Sequence, residues 1–124
     1  MSSGVRGIVV AHGDLAAALV QEAERISGVS GVLVPVSNSG CGREEIEQRV
    51  ESAAAGAPAV VFVDMPCGSC FFAAMRLTRE RSDVRVVTGV NLPMLLDFVH
   101  HRTLPAGDGA ARAVGKGTEA IRQG

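Results

Sequence analysis

The sequence predicts a three-layer α/β/α fold whose central sheet is mainly parallel, with strand order 2-1-3-4. Three observations carry that expectation. Val- and Ile-rich runs alternate with helix-period segments along the whole chain, joined by short connections. The central run Val60 to Val63 (V-V-F-V) is apolar at every position, as a strand covered on both faces must be. Pro35 falls inside the second run, where it removes a ladder donor and so assigns that strand to an edge.

The elements follow in order. Gly7 to Ala11 (G-I-V-V-A) reads as a buried strand ending at His12. Leu15, Leu19, Val20, Ala23 and Ile26 recur at helical spacing until Gly28 stops the helix. Gly31 to Val36 is the second strand, and Asn38 to Gly42 a polar loop. Ile46, Val50 and Ala53 mark the second helix, with Glu44 and Glu45 early in it as its dipole prefers. Val60 to Asp64 forms the third strand, and Met65 to Gly68 leads into a third helix from about Ser69 to Arg79. Val84 to Thr88 is the fourth strand. Asn91 to His101 forms a fourth helix that tolerates Pro93 in its first turn. A weak stripe of Ala110, Val114, Gly117 and Ile121 closes the chain. The 124 residues are expected to form one domain, 1–124, with no linker or repeat.

Composition excludes several functions. Hydrophobic residues make up 47% and charged residues 20%, and thirteen acids stand against twelve bases. The bases are scattered and not interleaved with aromatics, so nucleic acid is not an expected partner. Apolar runs such as Ala57 to Val63 are too short to span a bilayer. The start Met1-Ser2-Ser3-Gly4-Val5-Arg6 lacks the parts of a signal peptide, so the expected location is the cytoplasm. Three cysteines, Cys41, Cys67 and Cys70, argue against a secreted disulfide framework.

Topology turns two residues into a candidate site. In open parallel sheets ligands bind beyond the carboxyl ends of the strands, where the winding reverses. With order 2-1-3-4 that point lies between strands ending in His12 and Asp64. A carboxylate that accepts from Nδ1–H fixes the imidazole tautomer and leaves Nε2 free as a nucleophile. It also stabilises the positive charge that builds on the ring as an N–P bond forms. Backbone N–H groups at Gly13 and Gly68, with Ser69 at the start of a helix, are candidate donors to phosphoryl oxygens. No nucleotide-binding glycine motif is present, so the expected donor is a phosphoprotein, and no cofactor or metal is expected.

Other roles stay open for some of these residues. Asp64 is also able to cap its own turn, and Ser69 to cap the helix. His100 and His101 suit the C-terminal dipole of the fourth helix or plain exposure, and have no partner at zinc-site spacing. Phe71, Phe72, Met75 and Leu77 read as core packing. Cys67 and Cys70 form a C-x-x-C pair at a strand-to-helix junction. That is the setting of thiol redox proteins, or of two thiols that simply pack.

Four segments in order resemble one family. They are I-V-V-A-H-G ending at Gly13, V-S-N-S-G from Val36, V-F-V-D-M-P-C-G-S-C from Val61, and V-T-G-V-N-L-P-M-L from Val87. Together they resemble the IIA component of the mannose family of the bacterial phosphoenolpyruvate:sugar phosphotransferase system. The resemblance implies that His12 takes a phosphoryl group on Nε2 from the phosphocarrier HPr and passes it to a IIB partner during sugar uptake. It implies a homodimer, and contact with the membrane only through a permease complex. It also implies that Asp64 orients the histidine and that Ser69 belongs to the phosphate-facing loop. Stand-alone relatives can instead act as regulatory phosphorylation sensors or feed a dihydroxyacetone kinase. This chain departs from the family's G-G-S-P loop, reading Cys67-Gly68-Ser69-Cys70.

Overall fold

A computed structural model describes residues 4–124; Met1 to Ser3, read above as part of a leaderless start, lie outside them. The elements run β1 (Arg6–Ala11), α1 (Leu15–Ser27), β2 (Leu33–Ser37), α2 (Arg43–Ala54), β3 (Ala59–Val63), α3 (Gly68–Glu80), β4 (Val84–Thr88), α4 (Leu92–Val99) and α5 (Ala106–Glu119). The four strands form one sheet in the order β2-β1-β3-β4, and every pairing is parallel. The sequence-predicted order is therefore observed.

The period-two alternation of a strand divides its side chains between two cores. Val9 and Ala11 of β1, with Val60 and Phe62 of β3, face α1, α4 and α5. Ile8 and Val10, with Ala59, Val61 and Val63, face α2 and α3. On the first face Phe62 and Phe98 pack edge to face, ring centroids 5.3 Å apart. Because both faces are covered, β1 from Gly7 onward and all of β3 lack polar side chains; only Arg6, half-buried at the start of β1, is charged, and it donates to Ala53 O at 3.0 Å. Pro35 lies on the edge strand opposite Val9 and is exposed, so its missing N–H leaves no ladder partner stranded.

Local chemistry sets the ends of the elements. Gly28 ends α1 in the left-handed region (φ 75°), where its N–H returns to the Glu24 carbonyl. Asn91 caps α4 by accepting from the Met94 N–H at 3.1 Å. The structure shifts several boundaries, among them the end of α4, which stops at Val99 and not His101. β2 runs from Leu33 through Ser37 instead of Gly31 to Val36, with Gly7 N–H already bonded to Val32 O at 3.1 Å. β3 ends at Val63, leaving Asp64 just beyond the strand. α5 begins at Ala106, four residues before the apolar stripe suggested, and ends before Ile121, which is exposed.

Glycines hide α5 from the sequence pattern. Gly109 and Gly117 are poor helix formers that blur the sequence pattern, yet both are buried. A Cβ on Gly117 would fall 2.4 Å from Met94 Cγ, so the missing side chain lets α5 approach α4 closely. The expectation that Phe71, Phe72, Met75 and Leu77 are all core also needs correcting. Leu77 is buried, Phe71 and Met75 are half-buried, and Phe72 is exposed. Among the described residues, no helix is long and apolar enough to cross a membrane.

Candidate functional site

The sheet register brings the two strand tips together. Val10 lies opposite Val63 and Ala11 opposite Ser37, so His12 and Asp64 emerge side by side at the carboxyl end of the sheet. The Asp64 N–H continues the ladder, donating to Val10 O at 3.3 Å. One carboxylate oxygen, Asp64 Oδ2, then accepts twice from His12: from the backbone N–H at 3.0 Å and from ring Nδ1 at 2.7 Å. The Asp64 side chain is 11% exposed and that of His12 45%. A mostly buried acid thus holds a half-exposed ring by its inner nitrogen. Nδ1 carries the proton when it donates to a carboxylate, and in the neutral ring that leaves the lone pair on Nε2. Asp64 does not cap its own turn; both of its bonds go to His12.

The far side of the ring faces the loop before α3. A Cβ built on Gly68 would lie 3.9 Å from both Cε1 and Nε2 of His12. With φ at 88°, Gly68 occupies a backbone region that side chains disfavour, and its lack of one keeps the space beside Nε2 open. Gly68 opens α3, with Cys67 as N-cap and no side-chain cap. Ser69 is therefore one residue inside the helix and exposed, so it is not the helix cap. The first N–H groups of α3 are free of intrahelical partners and carry the positive end of the helix dipole.

Gly13 behaves differently from the sequence expectation. Its N–H donates to Asn38 Oδ1 at 3.2 Å, and its carbonyl accepts from Ser37 Oγ at 2.7 Å. The loop after β1 is therefore tied to the end of β2, and the Gly13 N–H is occupied there. Ser37 also accepts from Ser39 N–H at 3.0 Å. Ser37 and Asn38 thus fix the segment that follows the histidine, a role that sequence reading missed. The available signal was the V-S-N-S-G segment at the tip of the strand next to β1.

The cysteines sit beside this pair. Cys67 is exposed, Cys41 is half-buried with Sγ 3.2 Å from Asn38 O, and Cys70 is buried; all three are free thiols. The expectation of two packed thiols holds for Cys70 but not for Cys67, because the N-cap position projects into solvent. Burial, and next the nearby Asp64 carboxylate, push the Cys70 thiol up to about 11. One ligand atom each from His12, Asp64 and Cys70 lies within 4.8 Å of the others. Asp64 Oδ1 is buried without a hydrogen-bond partner. His100 is exposed at the end of α4, and His101 Nδ1 lies 2.7 Å from Asp97 O, so neither joins the site.

Fold and site together define a doubly wound parallel α/β protein with a carboxylate-oriented histidine at its switch point. Comparison with known proteins takes this further. Residues 7–114 match the model of the EIIA-man family, described as PTS system fructose IIA component. The chain is 36% identical over 109 residues to the PTS system sorbose-specific EIIA component of Klebsiella pneumoniae, covering 84% of this chain and 80% of that protein. The chain belongs to the mannose-type IIA family of the phosphotransferase system. Its fold is shared with a phosphotransferase system EIIA component from Streptococcus agalactiae (TM-score 0.88, 23% identity, 96% of each chain). A mannose/sorbose-specific IIA subunit from Enterococcus faecalis also has it (TM-score 0.86, 22% identity, 97% of this chain and 94% of that one).

Proposed function

We propose that this chain is a phosphocarrier in which His12 Nε2 accepts a phosphoryl group from phospho-HPr and delivers it to a IIB component during sugar uptake. The observation that carries the reading is the 2.7 Å contact between His12 Nδ1 and Asp64 Oδ2. It leaves the outer nitrogen as the nucleophile and sets a negative charge against the ring that becomes cationic. In the transfer, the Nε2 lone pair attacks phosphorus while the bond from phosphorus to the donor breaks and its electron pair returns to the donor. The ring then carries the positive charge, balanced by Asp64. The same steps in reverse hand the group to IIB. Catalysis here is positioning and charge stabilisation, which a rigid sheet tip supplies.

The orphan N–H groups opening α3, at Gly68 and Ser69, are the donors to the phosphoryl oxygens in this reading, with the Ser69 hydroxyl beside them. The chain acts as one domain over residues 1–124, in the cytoplasm, as a homodimer that meets the membrane only through its permease complex. The sorbose-specific name of its 36% identical relative supports a sugar-linked role. The test is incubation with phosphoenolpyruvate, enzyme I and HPr, followed by mapping of the phosphate by mass spectrometry. Acid-labile phosphate on His12, absent from His12→Ala, is the expected result. Undiminished labelling of His12→Ala refutes the assignment.

A further inference from the structure

Phosphoryl transfer leaves two features of the site without a job. Cys70 is a fully buried thiol beside the catalytic acid, and Asp64 Oδ1 is a buried carboxylate oxygen that bonds nothing. Two such groups side by side suit a third species better than they suit each other. With the imidazole they make a nitrogen, an oxygen and a sulfur ligand whose atoms all fall within 4.8 Å of one another.

We propose that His12, Asp64 and Cys70 bind a zinc-class divalent cation, and that this metal and phosphoryl acceptance at His12 exclude each other. The second half rests on the phosphocarrier reading; the first does not.

The ligand set selects the metal. A thiolate and an imidazole favour zinc over magnesium or calcium, which take oxygen ligands almost alone. The geometry is within reach. Ligand distances of about 2.0–2.3 Å around tetrahedral zinc put neighbouring ligand atoms roughly 3.4–3.6 Å apart. His12 Nδ1 and Asp64 Oδ2, now 2.7 Å apart, would open by less than an ångström, and Cys70 Sγ, within 4.8 Å of its co-ligands, would close by at most roughly 1.2–1.4 Å. Side-chain rotation covers both. The fourth position faces solvent, since the His12 side chain is 45% exposed.

Charge also balances. Zinc with one carboxylate and one thiolate is neutral, which suits a buried pocket. On binding, the Cys70 thiol releases its proton to solvent. The imidazole stays neutral, but metal on Nδ1 moves its single proton to Nε2. The nucleophilic lone pair is then gone, and the Asp64 charge is spent on the metal. For two separate reasons, the metal-bound site takes no phosphoryl group.

The test uses the reduced full-length chain and Co2+ as a spectroscopic probe for zinc. Wild type and Cys67→Ala are expected to show a thiolate-to-cobalt charge-transfer band, and Cys70→Ala to lose it. Zinc affinity, measured against a chromophoric chelator, should fall more than about 100-fold in Cys70→Ala, beyond the 10- to 100-fold cost of losing an outer partner of a metal ligand. Cys70→Ser and thermal melting guard against an unfolded variant. A cobalt band that survives Cys70→Ala, or no such band in wild type, overturns the site. In the second arm, purified phospho-HPr is added with and without saturating Zn2+. Zinc should stop labelling of wild type, a chelator should restore it, and Cys70→Ala should be labelled either way. Full labelling of zinc-saturated wild type overturns the exclusion. Absence of labelling even without metal counts against the phosphocarrier reading, while the cobalt spectrum still decides the metal site.

Discussion

Replacing Asp64 by Asn is the perturbation that separates charge from shape at this site. The amide oxygen of Asn can still accept from His12 N–H and Nδ1–H, which sit 3.0 and 2.7 Å from the present Oδ2. Tautomer and ring position should therefore survive. What disappears is the negative charge facing an imidazole that turns cationic as the N–P bond forms. A hydrogen bond to a charged group contributes about 1.5–3 kcal/mol, against roughly 1 for a neutral one. Because the ring is 45% exposed, water screens part of this, and the loss should fall near 1–2 kcal/mol in the transition state. That corresponds to phosphorylation slowed by about 5- to 30-fold. The Asn amide must also sit where Oδ1 is buried without a partner, so stability should fall by about 1–3 kcal/mol as well. Rapid-quench measurement of acid-labile label from phospho-HPr gives the rate, and urea denaturation the stability. Asp64→Ala removes both bonds and should be slower still. A rate for Asp64→Asn within about twofold of wild type would show that the carboxylate charge does not act on the transfer.

Four further outcomes follow from the geometry. Asn38→Ala frees the Gly13 N–H from its 3.2 Å bond and should slow phosphorylation by about 2- to 10-fold, the equivalent of one modest hydrogen bond, read in the same quench assay. Gly68→Ala places a methyl 3.9 Å from His12 Nε2 on a backbone held at φ 88°; it should reduce labelling far more than it lowers the melting temperature, and equal effects on both would argue against an open space at Nε2. Gly7→Ala drives a Cβ to 2.6 Å from both Leu33 Cδ2 and Phe98 Cε2, so denaturation should show a loss of about 1–3 kcal/mol. The Cys70 thiol titrates near 11 when folded against 9.0 otherwise, so the native state holds the extra proton between those values. The associated stability is intact below pH 9 and drains away as pH rises toward 11, by on the order of 2–3 kcal/mol, and Cys70→Ala should flatten that dependence in urea titrations.

The parts of the fold legible in the sequence were those fixed by a simple physical constraint. A proline has no N–H to donate to a ladder, so Pro35 assigned its strand to the edge, and right-handed crossovers then left few orders for the other three. His12 and Asp64 stood out because each is the first polar residue after an apolar strand. Where position depends on a neighbour distant in sequence, the chain carried no such mark. Ser37 and Asn38 look like ordinary turn residues until the register sets them beside Gly13. The C-x-x-C pair gives no hint that Cys67 projects outward while Cys70 turns in against Asp64. The start of α5 was hidden because Gly107 and Gly109, in and just after its first turn, are poor helix formers. Phe72 shows the reverse: an aromatic at core-like spacing that stays exposed beside Arg43 and Glu47 at the start of α2.

All of this depends on which imidazole nitrogen of His12 is bare. Nitrogen-15 NMR of the labelled protein, before and after treatment with phospho-HPr, reads that directly. We expect a protonated Nδ1 and an unprotonated Nε2 in the resting protein, and phosphorus attached to Nε2 afterwards. A resting ring protonated on Nε2, or phosphate appearing on Nδ1, would contradict it.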